Sequence, residues 1–272
     1  MTQLSTERSL HSPEFNLLNA VLLLGAALIA GVLNAVAGGG SFIAFPTLLF
    51  TGVPPVPANA TNTVALWTGL VCSGGAFRRH INVPWLVLSV LTAASIGGGI
   101  LGALLLLHTP ARTFMRVLPW LMLGATLLFI FGGKLVRPRA NQVIHETGTG
   151  ALLLTAGFQF LVAIYGGYFG GGMGIVILAM LTAFGMADIH QMNALKIVLS
   201  TATNGVAVVI FVASHAVYWR QALVMIVGAA LGGYFGAHYS LRLPQKLVRW
   251  FVIAVGSGMT AYFFVHSYWV GG

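Results

Sequence analysis

The stretch Asn34-Ala35-Val36-Ala37-Gly38-Gly39-Gly40-Ser41 interrupts an apolar run that extends from about Phe15 to Phe50. Glycine in a helix interior costs roughly 1 kcal/mol relative to alanine. A helix opened inside hydrocarbon also leaves N–H and C=O groups without partners. Three consecutive glycines are therefore expected where protein or a polar cavity satisfies the freed backbone. A second glycine-rich stretch at 165–174 interrupts a later run, so the sequence predicts a pair of broken helices.

Composition places the chain in a membrane. Its 272 residues are 58% hydrophobic and 6% charged, whereas an average soluble domain has about 25% charged residues. Thirteen basic against four acidic residues give a net charge of +9, which suits contact with anionic lipid. The basic residues lie mainly in short loops between apolar runs, which argues against nucleic acid binding. The single cysteine excludes an intrachain disulfide. No catalytic or cofactor motif is present, so neither an enzyme nor a bound cofactor is predicted.

The apolar runs predict an all-α polytopic membrane protein with about eight transmembrane helices, since a spanning helix needs ~20 apolar residues. Six tryptophans mostly lie near the predicted helix ends and are interpreted as interfacial anchors: Trp67, Trp85, Trp120, Trp219, Trp250 and Trp269. Helices are predicted at 16–37, 41–51, 58–77, 84–107, 114–133, 188–212, 219–241 and 247–268, with a second broken run at 148–184.

The chain is predicted to contain two homologous repeats, each beginning with a glycine-broken helix. An offset of 134 residues (193 minus 59) places Asn59-Ala60 on Asn193-Ala194 and Pro110 on Pro244. The glycine triplets fit better at an offset of 132 (170 minus 38). Broken-helix duplications are typical of secondary transporters, whose binding sites form between the repeats. The predicted organisation is a polar N-terminal tail at 1–15, a first transmembrane repeat at 16–133, a linker at 134–147 and a second transmembrane repeat at 148–272.

The relative direction of the two halves depends on the short segment 41–51. A helix of this length spans only ~16 Å, which favours a half-helix or a re-entrant segment. If the broken run crosses the membrane once, the halves are parallel; if the short helix returns, they are inverted. Both arrangements stay open. With four crossings per half, seven basic residues fall on one side and five on the other, which favours cytoplasmic termini.

Polar residues cluster on the helices that follow the two breaks. In each half three of them are spaced by three and four residues, which places them on one helical face. Hydrogen bonding between helices would explain any one of them, whereas paired faces favour a polar pathway. The two sets are Asn59, Asn62 and Thr63 in the first half, and Asn193, Lys196 and Ser200 in the second.

Lys196 is the one basic residue placed well inside an apolar run. An ionisable side chain inside a membrane indicates function by default. Asp188 lies two turns earlier, at the predicted helix start, so Lys196 lacks a carboxylate partner on its own helix face. An unpaired buried cation attracts an anion. The alternative is a lysine whose amine reaches a nearby surface. No acidic residue is predicted mid-membrane, which disfavours a cationic substrate.

The ordered motifs of both halves resemble the TauE/SafE sulfite-exporter family of permeases. The resemblance covers about residues 16–268 and implies a multi-pass protein of the bacterial inner membrane that moves sulfite, sulfonates or related organic anions, often outward. Asn62 stands where the second half has Lys196, so any two-fold site is asymmetric. The matching residues are Gly31, Asn34, Ala37-Gly38-Gly39-Gly40-Ser41, Pro46, Gly52, Ala58, Ala60-Thr61-Asn62, Gly170-Gly171-Gly172-Met173-Gly174, Asn193-Ala194 and Lys196.

The sequence therefore predicts a secondary transporter, with an exporter favoured, whose substrate is a small anion held between the two breaks. Backbone N–H groups at the breaks, several polar side chains and the Lys196 charge would bind it. An anion channel and a non-transporting membrane scaffold are the alternatives. A coupling proton or sodium ion and a homodimer are compatible with this hypothesis. The predicted binding residues are Asn34, Gly38, Gly39, Gly40, Ser41, Asn59, Thr61, Asn62, Gly170, Gly171, Gly172, Gly174, Asn193 and Lys196.

Overall fold

The structure is a computed structural model that describes residues 15–36, 38–77, 83–135, 149–186, 188–239 and 245–270. Within those ranges the chain forms helices and no strand, which confirms the all-α class. The predicted tail and linker fall almost wholly outside them. The helices are α1 (Leu17–Val36), α2 (Ser41–Phe50), α3 (Pro55–Phe77), α4 (Trp85–His108), α5 (Ala111–Leu135), α6 (Thr149–Tyr168), α7 (Met173–Ala183), α8 (Ile189–Ala213), α9 (Trp219–Tyr239) and α10 (Gln245–Val265), followed by a π-helical turn at His266–Val270.

The predicted helix bounds agree with these to within three residues. The largest differences at a start are three residues, at α3, which begins at Pro55 rather than at 58, and at α5, which begins at Ala111 rather than at 114. Prolines are tolerated in a first turn because the N–H groups there have no helical acceptor. The prolines at 54, 55 and 57 therefore lie at the start of α3.

Seven of the described helices are long and apolar enough to cross a membrane, namely α1, α4, α5, α6, α8, α9 and α10. Large apolar side chains are exposed along them, including Leu17, Leu161 and Phe235, as expected for a surface in lipid. Helix α3 has 23 residues, which is also long enough to span. It is less apolar than the other seven helices. Because it packs against α1, α8 and α9, most of its polar residues face protein. With α3, the predicted count of about eight is reached.

Close helix pairs fix the direction of each element. Along α1 and α9 the contact positions rise together: a Cβ on Gly31 would lie 2.6 Å from the carbonyl oxygen of Ala229, and one on Gly236 would lie 2.7 Å from the Cα of Val32. These two helices are therefore parallel, joined through small residues that allow close approach. The same holds for α4 and α6, where Gly98 packs against Ala163.

Helices α3 and α8 run antiparallel at the centre of the bundle. The indole N–H of Trp67 donates to the Thr201 carbonyl at 3.1 Å, whereas Gly74, further along α3, packs against Ile197, earlier on α8. Helices α5 and α10 are also antiparallel, because Ser267 bonds the Met115 carbonyl and Arg249 bonds those of Phe129 and Ile130.

These directions settle the path of the chain at the first break. Gly40 packs against the Ala30 carbonyl in the body of α1, so the chain turns back after Val36 and α2 returns towards the end where α1 begins. Each half thus has five segments. Because α1 is parallel to α9 and α6 to α4, the second half is inverted relative to the first. We call the end of the bundle where α1, α3, α5 and α9 begin the terminal end, and the opposite end the linker end.

Helix contacts in one half have counterparts in the other. Helix α1 packs against α9 as α6 packs against α4, and α3 against α9 as α8 against α4. The half-helices also correspond, since α5 contacts α7 and α10 contacts α2. This geometry is what an inverted duplication would produce, while the duplication itself stays a prediction from the sequence.

Candidate substrate-binding site

The two glycine breaks meet each other inside the bundle. Gly38 has a φ of +88°, and a Cβ on it would lie 2.9 Å from the Cα of Gly174. Gly170 and Gly172 have φ values of +75° and +78°. Residues with a side chain rarely adopt this left-handed backbone conformation, so these three positions use the conformational freedom of glycine. The breaks therefore form one joint structure between α1–α2 and α6–α7.

Two asparagines hold the first break. Asn34 Oδ1 accepts a hydrogen bond from the Gly40 N–H at 2.8 Å. Asn62 Nδ2, on α3, donates to Ser41 Oγ at 3.1 Å. A broken helix leaves backbone groups unsatisfied, and Asn34 satisfies one of them. Asn34 and Ser41, which flank the glycines in the sequence, therefore take part in holding the break.

The second break is held by a tyrosine and by the other half of the chain. The Tyr165 hydroxyl donates to the Gly171 carbonyl, and the Gly170 N–H donates to the Tyr165 carbonyl at 3.2 Å. Asn59 Nδ2, on α3, donates to the carbonyl of Tyr168 at 2.8 Å. Helix α3 therefore fixes both breaks, through Asn62 and Asn59.

A polar cavity of about 30 Å³ lies between the breaks and the central helices α3 and α8. A volume of ~10–15 Å³ is enough for one water molecule, so the cavity is small in this conformation. Half-helices α2 and α7 begin beside it, with their first-turn N–H groups and the positive ends of their dipoles. Its walls are formed by Asn34, Gly38, Ser41, Thr63, Leu66, Trp67, Leu70, Phe169, Gly170, Met173, Gly174, Lys196, Ser200 and Asn204.

Lys196 brings a positive charge to this cavity. The residue is 1% exposed, so its amine does not reach the surface as the alternative interpretation required. Its Nζ is buried and has no hydrogen-bond partner among the described residues. Asp188, the one acidic residue in those ranges, instead caps α8 by accepting from the His190 N–H at 2.8 Å. An unpaired buried ammonium is unfavourable by several kcal/mol, which makes this site receptive to an anion.

Helix α8 presents two further polar side chains on the Lys196 face. Ser200 and Asn204 follow at successive intervals of four residues, which stacks them along one side of the helix. Both line the cavity, and neither side chain bonds another residue in the described part of the chain. The face made by Lys196, Ser200 and Asn204, which we call the α8 face, therefore keeps its hydrogen-bonding groups available.

Side chains from the first half are already engaged. Thr63 Oγ1 donates to the Asn59 carbonyl at 2.9 Å, and Trp67 Nε1 is bonded to Thr201. Asn34 Oδ1 and Ser41 Oγ accept the bonds described above. The first half therefore supplies mostly engaged groups to the cavity, apart from the Asn34 amide nitrogen, whereas α8 supplies available polar groups.

Six of the predicted binding residues line the cavity: Asn34, Gly38, Ser41, Gly170, Gly174 and Lys196. The other eight, which do not line it, are Gly39, Gly40, Asn59, Thr61, Asn62, Gly171, Gly172 and Asn193.

Most of the second group support the site instead. Gly39 packs against Val252 and Phe129, and Gly172 against Ala125. Thr61 Oγ1 accepts from the Tyr218 N–H at 3.0 Å, which ties α3 to the start of α9. Asn193 Oδ1 is buried without a partner among the described residues, and nothing in the structure explains it.

Sequence reasoning left eight lining residues out of the predicted binding set, among them Asn204 and Trp67. Asn204 was detectable, because it continues the four-residue spacing of Lys196 and Ser200. Trp67 was interpreted as an interfacial anchor, and this is wrong: it lines the cavity at the centre of α3. Its partner on α8 is a backbone carbonyl, which carries no signal in the sequence.

A second, apolar crevice lies between α5, α6 and α7 and has a volume of about 620 Å³. It is lined almost entirely by apolar groups, among them Leu127, Phe131 and Leu161, which are exposed on the lipid-facing surface. Such a lining offers nothing to a charged solute. In the described ranges no group of three or more His, Cys, Asp or Glu residues could hold a metal ion.

Comparison with known proteins shows the family of this chain. The sequence profile described as Sulfite exporter TauE/SafE matches residues 23–263. The chain belongs to this family. It is a multi-pass membrane protein, and its own two glycine breaks meet inside the bundle.

Similar proteins include a probable membrane transporter protein (ORF9) of a Sinorhizobium species, 30% identical over 240 residues, which cover 86% of this chain and 87% of that protein. One of Haemophilus influenzae is 30% identical over 88% of this chain and 92% of its own length. The probable membrane transporter protein YfcA of Escherichia coli K12 is 29% identical over 88% and 89%. No solved structure gives a significant match.

Proposed function

We propose that this protein is a secondary transporter of small anions such as sulfite, organosulfonates or related organic acids, and that it works as an exporter in the bacterial inner membrane. The observation that carries the proposal is Lys196, which is 1% exposed, lines the cavity between the breaks and lacks a partner among the described residues. A buried cation without a counter-ion is best explained by an anionic ligand.

The anion would be bound by a charged side chain, by polar side chains and by the starts of two half-helices. The ammonium of Lys196 would supply charge, and Ser200 and Asn204 would donate hydrogen bonds to the oxygens of the anion. The starts of α2 and α7 would contribute N–H groups and dipoles of the sign that attracts anions. Asn34, Asn59 and Asn62 would position the breaks rather than contact the substrate.

Family membership and the relatives' names support transport, and the family description supports sulfite and export. The two halves, proposed as inverted repeats at 16–133 and 148–272, would place the site at their interface, as in other broken-helix transporters. The cavity of about 30 Å³ is too small for an organosulfonate. A carrier that opens and contracts around its substrate is therefore favoured over a channel with a standing pore.

Sulfite efflux from proteoliposomes tests the proposal. Lys196→Gln removes the charge and keeps much of the side-chain length, so efflux should fall to the level of protein-free vesicles. Arg220→Gln removes the same charge from an exposed position at the start of α9 and is the matched control; its efflux should equal that of the unmodified protein. Both variants must be reconstituted in equal, monodisperse amounts.

Unchanged efflux in Lys196→Gln would contradict the proposed role of this residue. Flux independent of proton and sodium gradients, at rates above any carrier turnover, would select the anion channel. Absence of flux for sulfite, sulfoacetate and small carboxylates alike, together with absence of thermal stabilisation by any of them, would favour the scaffold alternative.

A further inference from the structure

Four phenylalanines from four different elements meet beside the cavity. The ring of Phe45 on α2 lies 6.0 Å from that of Phe114, 5.9 Å from that of Phe169 and 6.2 Å from that of Phe263. The first two contacts are edge-to-face, with an interplanar angle of 89° in each, a favoured geometry for aromatic pairs. All four residues are at most 1% exposed. We call this group the phenylalanine cluster.

The cluster lies between the cavity and the terminal end of the bundle. Phe169 belongs to both, because it also lines the cavity. Phe114 is in the first turn of α5 and Phe263 is in the last turn of α10. Those two turns lie at the terminal end, since α5 begins there and the antiparallel α10 ends there. A solute leaving the cavity towards this end therefore meets the cluster.

Among the described residues, the corresponding positions of the other half carry fewer aromatic rings. The offsets of the two halves place Phe45 on Ile177 (45 plus 132) and Phe114 on Val248 (114 plus 134). Of the described counterparts, only that of Phe263, which is Phe129 (263 minus 134), is aromatic. The cluster at the terminal end is thus the larger aromatic group of the two among the described residues, and the Phe45 ring lies at its centre.

We propose that the phenylalanine cluster is the gate that closes the binding cavity at the terminal end. Its rings come from two half-helix regions and from the α5–α10 pair, so a shift of that pair against α2 would separate Phe114 and Phe263 from Phe45. Packed interfaces of this kind switch between discrete arrangements rather than deforming continuously. The gate rests on the proposed transport function for its purpose, but its closure is a property of the protein without substrate.

Accessibility of a cavity cysteine tests the gate. In a Cys72→Ala background, Leu70→Cys places a single thiol in the cavity wall. A separate single-cysteine variant, Ser214→Cys, has its thiol exposed in the turn after α8, at the terminal end. Its labelling identifies the vesicles in which the terminal end faces the membrane-impermeant thiol reagent. In that orientation the Leu70→Cys thiol should react slowly, and Phe45→Ala should speed its reaction by about tenfold, because two or more aromatic contacts are lost.

Phe211→Ala is the matched control, since Phe211 is equally buried on α8 near the terminal end and lies outside the cluster. It should leave the reaction rate unchanged. Equal acceleration by Phe45→Ala and Phe211→Ala, or no acceleration by Phe45→Ala, would overturn the gate. If Phe45→Ala does not purify as a monodisperse protein, Phe263→Leu makes the same test with a smaller loss of volume. None of these rates involves substrate, so failure of the Lys196 test leaves the gate result intact.

Discussion

Gly38 and Gly174 touch backbone to backbone, with 2.9 Å between the Cα of Gly174 and the place where a Cβ on Gly38 would stand. One comes from the end of α1 and the other from the start of α7, so this contact joins the two halves of the chain. It also brings the starts of α2 and α7 to the same cavity as Lys196. Each position in such a close approach excludes a side chain, so both have to be glycine.

Gly38→Ala should therefore damage both folding and transport. The substitution requires a φ of +88° from a residue with a Cβ, which costs roughly 1–2 kcal/mol, and forces the breaks apart. We expect a lower thermal unfolding temperature in detergent and loss of sulfite efflux. Gly124→Ala is the control, because nothing lies within 4 Å of its added methyl group. Equal behaviour of the two variants would mean that the contact between breaks is dispensable.

Asn34→Asp should separate the structural role of this side chain from its place in the cavity wall. The carboxylate still accepts from the Gly40 N–H, so the first break should hold and thermal stability should change little. It also adds a negative charge to the cavity that Lys196 lines, which should block anion binding. Asn34→Ala should instead destabilise the protein by ~1–3 kcal/mol, because the Gly40 N–H loses its acceptor. Normal efflux by a stably folded Asn34→Asp variant would refute the proposed electrostatics.

Ser200→Ala and Asn204→Ala should weaken substrate binding without loss of stability. Their side chains bond no other described residue, so their removal breaks no internal hydrogen bond, whereas each lost bond to an anion should raise the half-saturating sulfite concentration about tenfold or more. Thr203→Val, which removes a hydroxyl from α8 outside the cavity, tests whether the effect is specific. Half-saturation measured in proteoliposomes decides it, and equal shifts in all three variants would argue against a binding role for the α8 face.

Both chain ends should lie outside the cytoplasm. Because the chain reverses at Gly38–Gly40, the basic residues are distributed between the two sides of the membrane differently from the seven-to-five division that four crossings per half gave. By sequence position, four basic residues adjoin helix ends of the terminal end and eight adjoin helix ends of the linker end, and the positive-inside bias places the linker end in the cytoplasm. Two reporter fusions to the C-terminus check this, one active only in the periplasm and one active only in the cytoplasm, and the periplasmic reporter should be the active one. Cytoplasmic activity would contradict it. The two groups are Arg8, Arg112, Arg116 and Arg220, and Arg78, Arg79, Lys134, Arg137, Arg139, Arg242, Lys246 and Arg249.

Helix positions were predictable from the sequence because they depend on local chemistry. Runs of apolar residues have to be about as long as the membrane is thick, and prolines and glycines punctuate them wherever a side chain or an N–H would be unsuitable. The same local logic identified Lys196, since a charge in an apolar run has few explanations. Asn204 could have been added by extending the four-residue spacing of Lys196 and Ser200 one step further.

The direction of the chain after Gly38 and the position of Trp67 in the cavity wall could not be predicted from local chemistry. Whether α2 continues or returns depends on Gly40 packing against Ala30, and this contact joins backbones that have no side-chain signature. Trp67 lies in the cavity because α3 and α8 cross at the centre of the bundle, whereas its sequence neighbours resemble those of an anchor. The eight predicted binding residues outside the cavity are near its lining residues in sequence, but in the fold most of them support the site, whereas Asn193 has no explained role.

The sequence by itself determined that this chain spans a membrane, that two helices break at glycines and that one lysine lies within an apolar run, because each of these follows from the free energy of a residue in hydrocarbon. Only the tertiary structure decided that the halves are inverted, that the two breaks touch, and that Lys196 faces them with Ser200 and Asn204. Those facts depend on how close one backbone can come to another. The glycines that first marked the breaks are the residues that make this approach sterically possible.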